Sequence, residues 1–297
     1  MEPKMTREKV SFSQNPWQDP KQARRRESAN TTHILIVEGG DDKYPWLDRC
    51  LTAIEKLSEF PYHVHVFTYN NKPAPSWVTR YGVTGEFNSY CTRTFHGRTD
   101  YVSYPHQAAL SYLASKLIQS WIVTIDSDSI PIKQGWNQDL REAAEPNGVV
   151  AISRTLGKDV HPGATSIAHP SCLCISTKRY RALKRNFFGW PRSGHTDSTP
   201  PGEYNDTAAR LTRMIKKNHV PLELMRRDND FAGLKDLPGS GPALFGTYAD
   251  LVYHHGCGSR NFNRRWPAWV KQLSDKILQL LNTDFDAFVE YIKEGKR

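Results

Sequence analysis

The chain has 297 residues, of which 38% are hydrophobic and 24% charged, and a formal net charge of +9. This composition excludes a globally disordered chain, and the length suits one α/β domain with appendages. A pI of about 9.3 means a basic surface, which attracts phosphates, nucleic acid or anionic lipid without choosing among them. Five scattered cysteines do not make a disulfide framework and fit reduced thiols in the cytoplasm. No apolar run approaches the ~18 residues that span a bilayer, and none near the N-terminus reads as a signal peptide.

Residues 1–32 are polar, with Pro16, Pro20 and the run Arg24-Arg25-Arg26. They read as a flexible basic arm, either a solvated tail or a contact to nucleic acid or acceptor. The ordered domain is expected over 33–266. Ile34 to Val37 is a β-branched run before the loop Glu38-Gly39-Gly40-Asp41-Asp42. Over 45–59, Leu47, Leu51, Ile54 and Leu57 recur at helical spacing. Val64, Val66 and Phe67 mark a second strand that ends at Asn70-Asn71, before Pro73. Strand, helix, strand predicts a parallel sheet.

The spacing of Ala108, Leu110, Leu113, Ala114, Leu117 and Ile118 predicts a helix over 106–119. It leads into Trp121 to Ile125, almost wholly apolar, as a central parallel strand covered on both faces would be. Further strands are expected at Val149 to Ile152, Cys172 to Ile175 and Ala249 to Tyr253. A helix is expected over 205–217 and a loop near the site over 236–246. The region 267–297 reads as a C-terminal helical extension, with Trp269, Leu273, Ile277 and Leu280 on one face.

Asp126-Ser127-Asp128 follows the apolar strand. Residues two apart on a strand point the same way, so the two carboxylates converge. Open α/β sheets place their ligands at this carboxyl edge. Hard carboxylate oxygens suit Mg²⁺ or Mn²⁺, and such an ion bridges a diphosphate. The triplet alone also reads as a turn or a helix cap.

The segment "WIVTIDSDSIPIKQGW" resembles the Asp-x-Asp region of family-2-like glycosyltransferases with the GT-A fold. The helix "SYPHQAALSYLA" and the ending "DLVYHHGCGSR" are similar to that family's order of elements, over roughly 33–265. The resemblance implies a GT-A type doubly wound mixed sheet flanked by helices, and a nucleoside-diphosphate sugar donor, UDP favoured and GDP possible. It implies a divalent metal, Mn²⁺ or Mg²⁺, and sugar transfer to a hydroxyl, with inversion. By the same resemblance a late histidine completes the metal shell. His254 and His255 are the candidates; neighbours on a strand face opposite ways, so one of them serves, with a slight preference for His254.

Donor-binding residues implied alongside Asp126, Ser127 and Asp128 are Glu38, Asp41, Asn70, Arg98, Asp100 and His106, with Arg260 on the diphosphate. The loop Glu38-Gly39-Gly40-Asp41 departs from the family's shorter polar loop, and the usual Glu-Asp pair has no plain match. Its nearest counterpart is "EYNDTAARL". There Asp206 is either the catalytic base or an N-cap, and Glu203 is the reserve base. Three rivals stay open: glycosylation of modified bases in DNA, a metal-dependent nucleotidyltransferase or nuclease, and a non-catalytic basic binding module.

Overall fold

The computed structural model describes residues 31–38, 46–69, 74–95, 104–118, 120–154, 167–183, isolated positions between 211 and 228, 244–256 and 268–294. The chain opens as β1 (Thr32–Glu38), α1 (Trp46–Leu57), β2 (Tyr62–Thr68), β3 (Val78–Tyr81) and α2 (Gly85–Phe95). Then come α3 (Tyr104–Ser115), β4 (Trp121–Ile125), β5 (Ser129–Pro131), α4 (Trp136–Ala144), β6 (Val149–Arg154), β7 (Ile167–Ser176) and α5 (Thr177–Ala182). The described remainder is β8 (Glu223–Met225), β9 (Arg227–Asp228), β10 (Leu244–Tyr248), β11 (Val252–Gly256), α6 (Ala268–Thr283) and α7 (Phe285–Glu294).

A seven-stranded sheet runs in the order β3-β2-β1-β4-β7-β6-β8. Strands β3, β2, β1 and β4 are mutually parallel. β7 lies antiparallel to both β4 and β6, and β8 is parallel to β6. The fold is therefore a mixed α/β sheet flanked by helices. β4 is central, as its apolar run predicts, but only one of its two neighbours is parallel. An apolar run reports burial of both faces, not the direction of the next strand.

Alternation splits the core into two layers. Ile34 and Ile36 pack on one side of β1 with α1 and the C-terminal helices. Leu35 and Val37 pack on the other side with α3. Each such side chain, fully buried, contributes about 1.5–3 kcal/mol. The C-terminal helices share the first layer: Val270, Leu273, Ser274, Ile277 and Leu281 form the buried face of α6. Trp269, expected on that face, is 37% exposed. The expected C-terminal helical extension comprises two helices, and Asp284 caps the second: its Oδ1 accepts from the Ala287 N–H at 2.9 Å. Among the described residues no helix is long and apolar enough to cross a membrane.

A second sheet, β5-β11-β10-β9, lies at the end of β4. Here the sequence expectation is corrected. The strand placed at Ala249 to Tyr253 begins at Val252, and Leu244–Tyr248, inside and after the expected loop, is a strand as well. Ala249 and Asp250 form the turn between them, with φ of 46° and 59°, closed by Leu251 N–H to Tyr248 O at 2.8 Å. Two successive positive φ values define the type I′ hairpin turn, which Asn-Gly usually signals. Ala-Asp carries no such signal. Ala249 is exposed and gains nothing from its methyl, so Ala249→Gly is expected to raise stability by about 1 kcal/mol, read as an increase in the urea midpoint.

Candidate metal centre

Hydrogen bonding explains how the acidic pair is presented. The Ser129 N–H donates to Asp126 O at 2.9 Å, so Asp126-Ser127-Asp128 is a tight turn between β4 and β5. The two carboxylates converge through this turn, not through the strand alternation expected from sequence. β5 then pairs antiparallel with β11, setting His254 opposite Ser129, and the His255 N–H donates to Asp128 O at 3.1 Å. The backbone ladder thus carries the histidine strand to the acidic turn from the far end of the chain.

His254 Nε2 lies 3.5 Å from Asp126 Oδ2 and 3.4 Å from Asp128 Oδ1. One ligand atom from each of the three residues falls within 4.8 Å of the others. His106, on the first turn of α3, sets Nε2 3.4 Å from Asp126 Oδ1. Asp126 therefore stands between two imidazoles. Asp128 and His254 are both buried. Burial works against a charge on His254, but the Tyr248 oxygen and the Asp128 and Asp126 carboxylates outweigh it and hold the imidazole well above the usual histidine range. The opposite ring nitrogen, Nδ1, is 2.5 Å from the Tyr248 hydroxyl.

This donor set fits a divalent cation. Two carboxylates held together away from water are costly unless positive charge lies between them. Adjacent ligands of an ion with bonds of about 2.1 Å sit about 3 Å apart, close to the separations seen. Carboxylate with imidazole suits Mn²⁺, and carboxylate alone suits Mg²⁺ equally.

His255 takes no part in the cluster. Its ring lies on the opposite face of β11, completely buried, with Nδ1 2.8 Å from the Tyr253 hydroxyl and Nε2 2.9 Å from Ser274 Oγ of α6. Trp46 and Phe245 pack on it at centroid distances of 4.3 Å and 4.5 Å. Burial pushes its pKa down to about 3, so it is a neutral tether between β11 and the C-terminal helices. His255→Ala is expected to cost about 3 kcal/mol in stability through the lost packing and the two lost hydrogen bonds, with Mn²⁺ affinity of the folded protein little changed; urea unfolding and calorimetry separate the two.

Glu38 ends β1 and is buried, and Ser127 forms the middle of the turn. The expected donor residues Asp41, Asn70, Arg98, Asp100 and Arg260, the candidate bases Asp206 and Glu203, most of the helix 205–217 and the arm 1–30 lie outside the described residues. Two contributors escape the sequence reading in this role. Tyr248 carries no local signal, although once β10 and β11 are seen as a hairpin it falls diagonal to His254. Ser171 sits fully buried within β7, its Oγ 3.0 Å from the Tyr248 hydroxyl.

No family model and no curated protein matches the chain. Solved structures do. The 2-C-methyl-D-erythritol 4-phosphate cytidylyltransferase from Thermus thermophilus is 13% identical, with a TM-score of 0.40 over 83% of this chain and 98% of that one. The mannosyltransferase PcManGT from Pyrobaculum calidifontis, in complex with GDP-Man and Mn²⁺, is 12% identical, with a TM-score of 0.40 over 93% of this chain and 79% of that one. S. aureus TarS is 10% identical, with a TM-score of 0.34 over 53% of this chain and 30% of that one. At such identities the functional reading has to come from the site itself.

Proposed function

We propose that the chain is a metal-dependent glycosyltransferase that moves a sugar from a nucleoside-diphosphate sugar to a hydroxyl acceptor. The observation that carries this reading is the convergence of Asp126, Asp128 and His254 at the carboxyl edge of the sheet. The chain runs outward from β1 to β2 and β3, then returns to place β4 against β1. That reversal makes the carboxyl ends of β1 and β4 a topological switch point, the place where open α/β sheets bind nucleotides. Glu38 ends one of these strands and Asp126 follows the other.

A divalent ion held there would supply positive charge to stabilise the leaving diphosphate. Asp126 and Asp128 supply hard oxygens to hold it, and His254 supplies one nitrogen. His106 orients Asp126 from the side of α3. The choice of sugar donor, UDP favoured and GDP possible, rests on the sequence resemblance, as does inversion. Asp206 takes the acceptor proton in this proposal, with Glu203 in reserve.

The test is a donor screen. The full chain, with Mn²⁺, is offered UDP- and GDP-sugars, and nucleoside diphosphate release is measured together with thermal shift. Metal-dependent release of nucleoside diphosphate supports the reading. Pyrophosphate released from nucleoside triphosphates instead would make it a nucleotidyltransferase. Binding of nucleic acid with no turnover of any donor would make it a binding module.

A further inference from the structure

We infer that Tyr248 is a positioning residue of the metal centre, its phenol oxygen accepting the Nδ1–H of His254 and so aiming Nε2 at Asp126 and Asp128. The inference rests on the reading of Asp126, Asp128 and His254 as a cation site. A neutral imidazole carries one proton and one lone pair. For Nε2 to present the lone pair, Nδ1 must keep the proton and needs an acceptor to hold it. Tyr248 stands in that place. It is 1% exposed, and its oxygen is 2.5 Å from Nδ1.

The tyrosine is fixed in turn. The hairpin register sets Tyr248 opposite Val252 and Gly246 opposite His254, so the phenol reaches the imidazole along the diagonal. Its O–H then points to Ser171 Oγ, 3.0 Å away on β7. The Ser129 hydroxyl donates to the Ser171 carbonyl at 3.2 Å. The relay therefore joins His254 to β7, which flanks β4, and to β5, which follows the acidic turn. The same strands that place the two aspartates fix the angle of the imidazole. Without the phenol hydroxyl, the ring is free to rotate or to move its proton to Nε2, and either change removes a ligand.

The test is Mn²⁺ binding to the full chain, read by the free-ion electron paramagnetic resonance signal and by calorimetry. Tyr248→Phe keeps the ring and loses only the hydroxyl. It is expected to bind Mn²⁺ about 10- to 100-fold more weakly, with thermal unfolding in chelator close to wild type. In a His254→Ala background the same substitution is expected to change affinity no further, since Tyr248 acts through His254. Equal affinity of wild type and Tyr248→Phe overturns the positioning role and leaves the cation site standing. An undiminished loss in the His254→Ala background overturns it too. No Mn²⁺ binding by wild type overturns the cation site and this role with it. If Tyr248→Phe does not fold, Ser171→Ala is read in its place: a several-fold weakening supports the relay, and unchanged affinity overturns it.

Discussion

Asp128→Ala is expected to reduce metal-dependent turnover at least ~10³-fold while leaving the fold in place. Asp128 contributes one of the two carboxylates facing His254. Removing it leaves one carboxylate and one imidazole, too few ligands to hold a divalent ion against water. Metal stabilisation of a leaving diphosphate is worth several kcal/mol, and each 1.36 kcal/mol is about tenfold in rate. The fold survives because the contact that joins β11 to the turn uses the Asp128 carbonyl, not its side chain. The loss of the carboxylate relieves repulsion from Asp126 and strips His254 of one partner, two effects of opposite sign. The check is product release with Mn²⁺, alongside thermal unfolding in chelator. Turnover that persists in this variant, or in wild type with excess chelator, would sink the mechanism.

Much of this site was legible in the sequence because burial writes a strong pattern. β1, α1, β2, α3 and β4 each carry either a two-faced apolar run or a helical period, and these elements build the edge where the acidic pair sits. The elements that the sequence hides bury little. β3 buries only Val78, and among the described side chains of α2 only Phe87 and Cys91 are buried, too few to write a strong period. The hairpin is hidden for a different reason: Ala249 and Asp250 adopt left-handed backbone without the glycine that advertises it.

The silent hairpin also conceals part of the site. Strand alternation predicts that Asp126 and Asp128 meet, and the preference for His254 comes from adjacent residues facing opposite ways. The alternation argument applies to β11, where His255 turns to Trp46 and Ser274. It does not apply to the aspartates, which a hydrogen-bonded turn brings together. The contacts of Asp126 with His106 and of His254 with Tyr248 come from the packing of α3 and from the hairpin register. Neither is written in local periodicity, so only the assembled fold reveals them.

Acid is expected to remove much of the protein's stability before its carboxylates titrate. His33 and His65 lie on one face of the adjacent strands β1 and β2, with His33 Nδ1 2.8 Å from His65 Nε2. The exposed His63 ring stands 5.5 Å from that of His33, and the Tyr81 hydroxyl is 3.4 Å from His65 Nδ1. Burial, with repulsion from neighbouring histidines, pushes His33 down to about 2 and His65 to about 3. His255, also at about 3, behaves alike. Unfolded, each histidine titrates near 6.5. Between these values the unfolded chain binds more protons than the folded one, so stability is full above pH 6.5 and drains as pH falls toward 3. His254 has the opposite sign, because its folded pKa is raised. Its window lies above pH 6.5, where stability falls as pH rises, so it offsets nothing below. At about 1.4 kcal/mol per pH unit for each histidine, the three cost about 6 kcal/mol by pH 5, against a typical total of about 5–15 kcal/mol. Urea midpoints in chelator should therefore collapse between pH 7 and pH 5. His33→Val combined with His65→Val replaces both partners of the buried bond with strand-forming residues, and should remove most of that slope. A wild-type midpoint that stays level across this range would show that the buried imidazoles accept protons in the folded state.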